Sequence, residues 1–147
     1  MGLSLTWETY GITPSGFETV QNPKPVSIDS FGWLERLIDG PKASEYNRLI
    51  DSVAPRDIVT SVVTVYEVYK KLKPIRGEAI ALEAVAPLRA TRLVPIDDQL
   101  ALEAADYSLS LGLHFSDALI YATARRHRAE LHTSDPDLKE VPGVVFH

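Results

Sequence analysis

Four carboxylates stand where an α/β sheet would gather them at one end. Asp29 closes the β-branched run VSID, Glu67 lies within TVYEV, Asp117 opens the segment DALIYATA, and Asp135 follows LHTS. Two carboxylates about 5 Å apart repel by roughly 3 kcal/mol at an effective dielectric near 20, so a cluster of four calls for a cation. The chain has no cysteine, and His114, His127, His132 and His147 show no ligand spacing, which leaves hard oxygen donors. Oxygen donors favour Mg²⁺ or Mn²⁺ over zinc, with water completing the octahedron. Such an ion polarises a phosphate oxygen and lowers the pKa of a bound water, so the expected chemistry is metal-assisted phosphodiester hydrolysis. Asp135 or Glu67 is left to orient or deprotonate the attacking water, and the sequence does not choose between them.

The elements that must position these acids are readable from periodicity. Val26 to Ile28 forms a strand, followed by a helix whose Phe31, Leu34, Leu37 and Ile38 recur at helical spacing until Gly40-Pro41. A second helix spans KASEYNRLIDSV, and Asp57 to Val59 gives a short strand. SVVTVYEVYKKLK is read as a helix through Val65, Val68, Tyr69 and Leu72, with Glu67 turned away from that stripe. IRGEAIALEAVAPLRA continues as a helix in which Pro87 marks a kink or early stop, and RLVPI returns to a strand. Asp97 or Asp98 caps the next helix, Gly112 ends it in the left-handed position, and Ser116 caps the last one. AELHTSD and GVVFH close the chain as strands around a turn in DLKEV. Alternation of strands and helices predicts a parallel α/β sheet, whose ligands gather beyond the carboxyl ends of the strands. Asp29 and Asp135 follow strands directly; Glu67, inside a helix, depends on tertiary folding.

With 147 residues and 45% hydrophobic content, the chain suits one domain with a proper core. Residues 1–25 show neither helical nor strand periodicity and read as an N-terminal arm, with Trp7, Tyr10 and Phe17 available to anchor it; residues 26–147 form the domain. No apolar run approaches the roughly 18 residues of a membrane span, and a soluble, cytoplasmic protein is expected. The formal charge of −5 argues against a general polyanion-binding surface, so nucleic acid would be met by local basic strips or through metal. Two such strips follow the acids: Lys70, Lys71, Lys73 and Arg76 after Glu67, and Arg125, Arg126 and Arg128 after Asp117. Lys70, Lys71, Arg125 and Arg126 are the candidate RNA contacts.

From Val26 onward the chain resembles the PIN-domain ribonucleases, and among them the VapC-type toxins of VapBC toxin-antitoxin systems. The resemblance rests on VSIDSFGWLE, TVYEV, FSDALIYATA and LHTSDPDLKEV in that order and spacing. It implies a three-layer α/β/α sandwich around a mostly parallel sheet. It also implies that Asp29, Glu67 and Asp117 bind metal, that Asp135 completes the quartet, and that Ser30 and Thr133 supply supporting hydrogen bonds. The activity implied is cleavage of RNA that leaves a 5′-phosphate and a 3′-hydroxyl. The partners implied are a small VapB-like antitoxin along the active-site groove and a second copy in a homodimer. The chain departs from the pattern in its residues 1–25 and in Pro87.

Each acid also has a plain structural role open to it. Asp29 suits a helix cap, Asp117 a first helical turn, Asp135 a turn before Pro136, and Glu67 an i,i+3 or i,i+4 partner of Lys70 or Lys71. Asp97, Asp98 and Asp137 are read as caps and surface charges. Two rival functions follow: a catalytically inactive PIN-like module that binds antitoxin or RNA, and a phosphotransfer domain. The second lacks both the spaced acid pair of haloacid-dehalogenase-like phosphatases and the late strand-end lysine of receiver domains.

Overall fold

The computed structural model describes residues 23–147; most of the expected arm, with Trp7, Tyr10 and Phe17, lies outside the described residues. Five short strands are present among them: β1 Val26–Ile28, β2 Val59–Ser61, β3 Arg92–Val94, β4 Glu130–Thr133 and β5 Val144–Phe146. Every ladder is parallel, with β1 paired to β4, β4 to β5 and β2 to β3. An isolated parallel bridge between Val26 and Ile58 joins the two halves, so the spatial order is β3-β2-β1-β4-β5. Strand β1 lies in the centre, from which the chain builds outward through β2 and β3 and then crosses to the other side of β1. Strand order therefore reverses between β1 and β4, and a crevice for ligand opens at their carboxyl ends.

Six α-helices flank the sheet among the described residues: α1 Ser30–Ile38, α2 Ala43–Asp51, α3 Val62–Arg76, α4 Glu78–Arg89, α5 Asp98–Leu111 and α6 Phe115–Arg126, with short 3-10 turns at Pro55–Asp57 and Pro136–Leu138.

 The six α-helices cover both faces. On one, Trp33, Tyr46, Val68, Leu72 and Leu88 pack on Val26, Ile28 and Ile58; on the other, Leu100, Leu119, Tyr121 and Ala124 pack on Val59 and Leu131. Ile58 and Val59 are consecutive yet belong to different clusters, as alternation along extended chain requires. Strands β1 and β2 are buried at every residue because both faces are covered. The result is the expected three-layer α/β/α sandwich around a parallel sheet. Among the described residues, no helix is long and apolar enough to cross a membrane.

Several boundaries differ from the sequence reading. The strand expected at Asp57–Val59 is shifted to Val59–Ser61, because Pro55 starts a 3-10 turn that takes up Asp57. Ser61 then ends β2 and caps α3, its hydroxyl accepting the Val63 N–H at 3.1 Å. Gly77, at φ 85°, divides the helical text after Ile75 between α3 and α4. Pro87 neither stops nor starts anything: α4 continues to Arg89, with Val85 and Leu88 buried on either side of it. Helix α6 begins at Phe115 with His114 at its cap position and no side-chain cap bond, so Ser116 is a first-turn residue and not the cap. Asp97 caps α5 through the Leu100 N–H at 2.7 Å, and Gly112 ends it at φ 70°.

Candidate metal centre

Asp29 sits at the carboxyl end of β1 and caps α1, one carboxylate oxygen accepting the Gly32 N–H at 3.0 Å. Its other oxygen accepts the hydroxyl of Thr133, the last residue of β4. The parallel register sets this pairing, since Ile28 stands opposite His132. The Thr133 hydroxyl oxygen in turn accepts the Asp135 N–H at 3.0 Å. One threonine thus ties the side chain of Asp29 to the main chain of Asp135. Asp135 starts the following 3-10 turn, its own carboxylate accepting the Asp137 N–H at 2.9 Å.

Gly32 allows this close construction. A Cβ there would lie 2.5 Å from the Tyr46 ring and 2.6 Å from Ile28, so any side chain would push the start of α1, and Asp29 with it, off the sheet. Behind β4, Tyr46 hydrogen-bonds Ser134 at 2.7 Å. His132 Nδ1 meets His147 Nε2 at 2.7 Å, and His147 Nδ1 meets Glu45 at 2.6 Å. Burial, aided by the His147 ring, holds His132 down at about 4, which makes it a neutral partner at pH 7.

Asp117 comes from the first turn of α6 and Glu67 from the middle of α3, two helices that pack together. Burial pushes the Asp29 carboxyl up to about 6 against the opposing Thr133 and Gly32 hydrogen bonds, and the charges of Asp117 and Asp135 push the same way. Asp117 is also pushed up to about 6, by burial first and then by the charges of Asp135 and Glu67, with His114 opposing and Asp137 adding to the rise. Asp29 thus feels the charges of Asp117 and Asp135, and Asp117 those of Asp135 and Glu67. Sequence reading left His114 and Asp137 outside the site; they stand 3.9 Å apart and both act on Asp117. The i−3 position of His114 relative to Asp117, at the start of the same helix, was the available signal.

The donor set suits a hard divalent cation: carboxylate oxygens from four elements, with no thiolate near, and Asp29 and Asp117 pushed up by burial first and by neighbouring acids second. The side chains are not drawn tight, however. Among the described residues, no three His, Asp or Glu side chains stand close enough to grip one ion as they are. Bringing four carboxylates within reach of one another costs repulsion that an ion would offset.

The other predicted residues divide. Ser30 is half-buried and lines a groove with Glu67, Lys70 and Lys71, but takes part in no side-chain hydrogen bond among the described residues. Arg126 is not brought to the acids: it pairs with Asp97 at 3.3 Å and Glu103 at 3.1 Å at the far end of α6. Arg125 lies over the Tyr121 ring and lines a pocket with Lys24, Arg128 and Gly143, at the amino ends of β1, β4 and β5. That pole is opposite the acids.

The chain matches the family model described as PIN domain over residues 29–144. No curated protein sequence matches it. Among solved structures it is similar to a toxin-antitoxin complex from Klebsiella pneumoniae, with a TM-score of 0.68, 27% identity, and coverage of 82% of this chain and 95% of that one. It is similar to VapC20 of Mycobacterium tuberculosis, a Sarcin-Ricin loop cleaving toxin, with a TM-score of 0.68, 19% identity, and coverage of 80% and 95%. FitAcB from Neisseria gonorrhoeae gives a TM-score of 0.60 at 21% identity, with coverage of 75% and 87%. A family match over most of the length, on a parallel sheet with acids at its switch point, has one reading: the chain belongs to the PIN domain family.

Proposed function

We propose that this protein is a Mg²⁺-dependent endoribonuclease, with Mn²⁺ as a substitute ion, and the toxin of a toxin-antitoxin pair. The observation that carries this reading is the placing of acids at one end of the sheet: Asp29 and Asp135 follow β1 and β4 and are joined through Thr133, and Asp117 and Glu67 come from the packed helices α6 and α3, with burial first and neighbouring acids second pushing Asp29 and Asp117 up to about 6. Family membership and the toxins among the structural neighbours support it. Asp29, Glu67, Asp117 and Asp135 are the proposed ligands. When bound, the ion supplies a Lewis acid for the phosphate oxygens and a water of lowered pKa. Thr133 fixes the Asp29 carboxylate, and the α1 amide at Gly32 holds its second oxygen. Asp135 or Glu67 accepts the proton of the attacking water, the attack leaving a 5′-phosphate and a 3′-hydroxyl. Ser30, Lys70 and Lys71 border the substrate path.

An antitoxin of VapB-like type is the proposed protein partner, by analogy with the neighbouring complexes. A homodimer is proposed as well, supported by an apolar groove along α5 and α6 where Leu109 is 86% and Phe115 82% exposed. Incubation with total RNA in Mg²⁺ or in EDTA, with 5′-end mapping, tests the activity; cleavage that persists in EDTA or in Asp117→Asn removes the proposed mechanism. One observation favours a second reading, a non-catalytic module that binds antitoxin or RNA: the acid side chains are not gathered as they stand. Unchanged thermal stability and intact RNA in millimolar Mg²⁺ or Mn²⁺ would transfer the weight to it.

A further inference from the structure

The amino pole of the sheet, opposite the acids, holds a basic pocket of about 200 Å³ lined by Lys24, Arg125, Arg128, Ala129, Glu130 and Gly143. Cations at the end of α6 complement the helix dipole whatever else they do, but two of these are placed more closely than that requires. The Arg125 guanidinium lies 6.0 Å from the centre of the Tyr121 ring and rests against Gly143, where a Cβ would run into it. Gly143 has φ 82°, so the turn into β5 and the room for the guanidinium come from one residue. Arg128 stands where the end of a helix favours glycine. The Ala129 N–H donates to the Ala124 carbonyl at 2.9 Å and the Arg128 N–H to the Arg125 carbonyl at 3.1 Å, closing α6 with Arg128 in the left-handed position at φ 55°. A side chain at that position works against its own backbone. Among the described residues, neither Arg125 nor Arg128 has a carboxylate partner, and Lys24 has only Glu130, 3.6 Å away. Three cations against one carboxylate leave the pocket with two positive charges, in a chain of net charge −5.

We propose that this pocket is a phosphate site, remote from the acid centre and independent of the nuclease reading. A guanidinium held in one orientation offers its N–H groups in pairs to the oxygens of a phosphate. A phosphate monoester carries about −1.5 to −2 at pH 7, whereas a carboxylate carries a single charge, so a phosphate is the anion that balances the pocket. Arg125 grips it, Arg128 adds a second guanidinium, and Lys24 turns to it from Glu130. The ligand is a phosphate group, either free or at the end of a nucleic-acid strand.

The test titrates inorganic phosphate into the metal-free full chain at constant ionic strength, with chloride as the ion replaced, and reads binding by isothermal titration calorimetry. Saturable binding is expected. Arg125→Gln should weaken it about 10- to 100-fold, as loss of hydrogen bonds to a charged group does. Arg128→Gly should weaken it as well, while the melting temperature without phosphate holds or rises, because glycine suits the left-handed position. A purely structural role for Arg128 predicts a lower melting temperature instead. Arg126→Gln, whose own partners are Asp97 and Glu103, should leave phosphate binding unchanged. A short RNA with and without a 5′-phosphate then identifies the source: tighter binding of the phosphorylated strand, lost in Arg125→Gln, assigns the site to a strand end, and equal binding of the two strands assigns it to free phosphate. Phosphate binding that chloride matches, that Arg125→Gln leaves intact or that Arg126→Gln weakens as much overturns the site. Neither the acids nor an ion enters these measurements, so that failure would leave the nuclease reading where it stands.

Discussion

The strand-borne and helix-borne halves of the acid site are built differently. Asp29 and Asp135 follow adjacent strands and are knit by Thr133, with backbone N–H groups of Gly32 and Asp137 completing their hydrogen bonds. Glu67 and Asp117 ride on α3 and α6, and no side-chain hydrogen bond to either is present among the described residues. The first half is preorganised by sheet register; the second is held by helix packing and leaves its carboxylates free to turn. The strand-borne carboxylate of Asp29 is thus fixed by hydrogen bonds, while those of Glu67 and Asp117 are placed by helix packing alone.

Asp117→Asn should cut Mg²⁺-dependent RNA cleavage by about two powers of ten or more, while the metal-free protein unfolds at a higher temperature than the parent, since a repelling charge is gone. A drop in both would mean that Asp117 is a structural residue.

Next comes the pH dependence of stability without metal. Asp29 and Asp117 have folded-state values of about 6, above the ordinary 3.8, so their contribution is full below about pH 3.8 and is lost as pH rises through about 6. In EDTA the melting temperature should therefore fall across that window, and saturating Mg²⁺ should remove most of the fall. Asp117→Asn should shrink it, leaving the part that burial of Asp29 causes. A melting curve indifferent to pH in EDTA would contradict the raised values of Asp29 and Asp117.

Thr133→Val should then cost about 1.5–3 kcal/mol of stability, the worth of a hydrogen bond to a charged group, and lower activity by loosening the fixed half alone. Urea unfolding at pH 7 measures the first and initial rates the second; an unchanged midpoint would show that the Thr133 bond is not the tie described. The smallest effect belongs to Arg126→Gln, remote from both halves: cleavage should be unchanged, with only a slight, salt-sensitive loss of melting temperature from the Asp97 and Glu103 pairs.

Asp29 and Asp135 were legible because strand ends are marked locally, by a β-branched run stopping at an acid, and the doubly wound rule says what strand ends do. Asp117 was legible from the start of a strongly helical segment. Glu67 shows the limit: its position off the apolar stripe of α3 established that it faced away from that stripe, but not what it faced, because that depends on the packing of α3 against α6. The Thr133 tie joins residues 104 apart and exists only once β1 and β4 are in register. The pairing of Arg126 was hidden for the same reason, its partner Asp97 lying 29 residues away in the cap of α5. Local errors had local causes: Pro55 and Gly77 set boundaries that apolar spacing alone does not locate.

Residues along a strand alternate faces, so a one-residue slip of β4 against β1 would turn the Thr133 hydroxyl away from Asp29 and undo both of its bonds together. A molecule misassembled in this way would lose the strand-borne half of its acid site. Correct strand pairing and the assembly of the acid site thereby depend on the same hydroxyl.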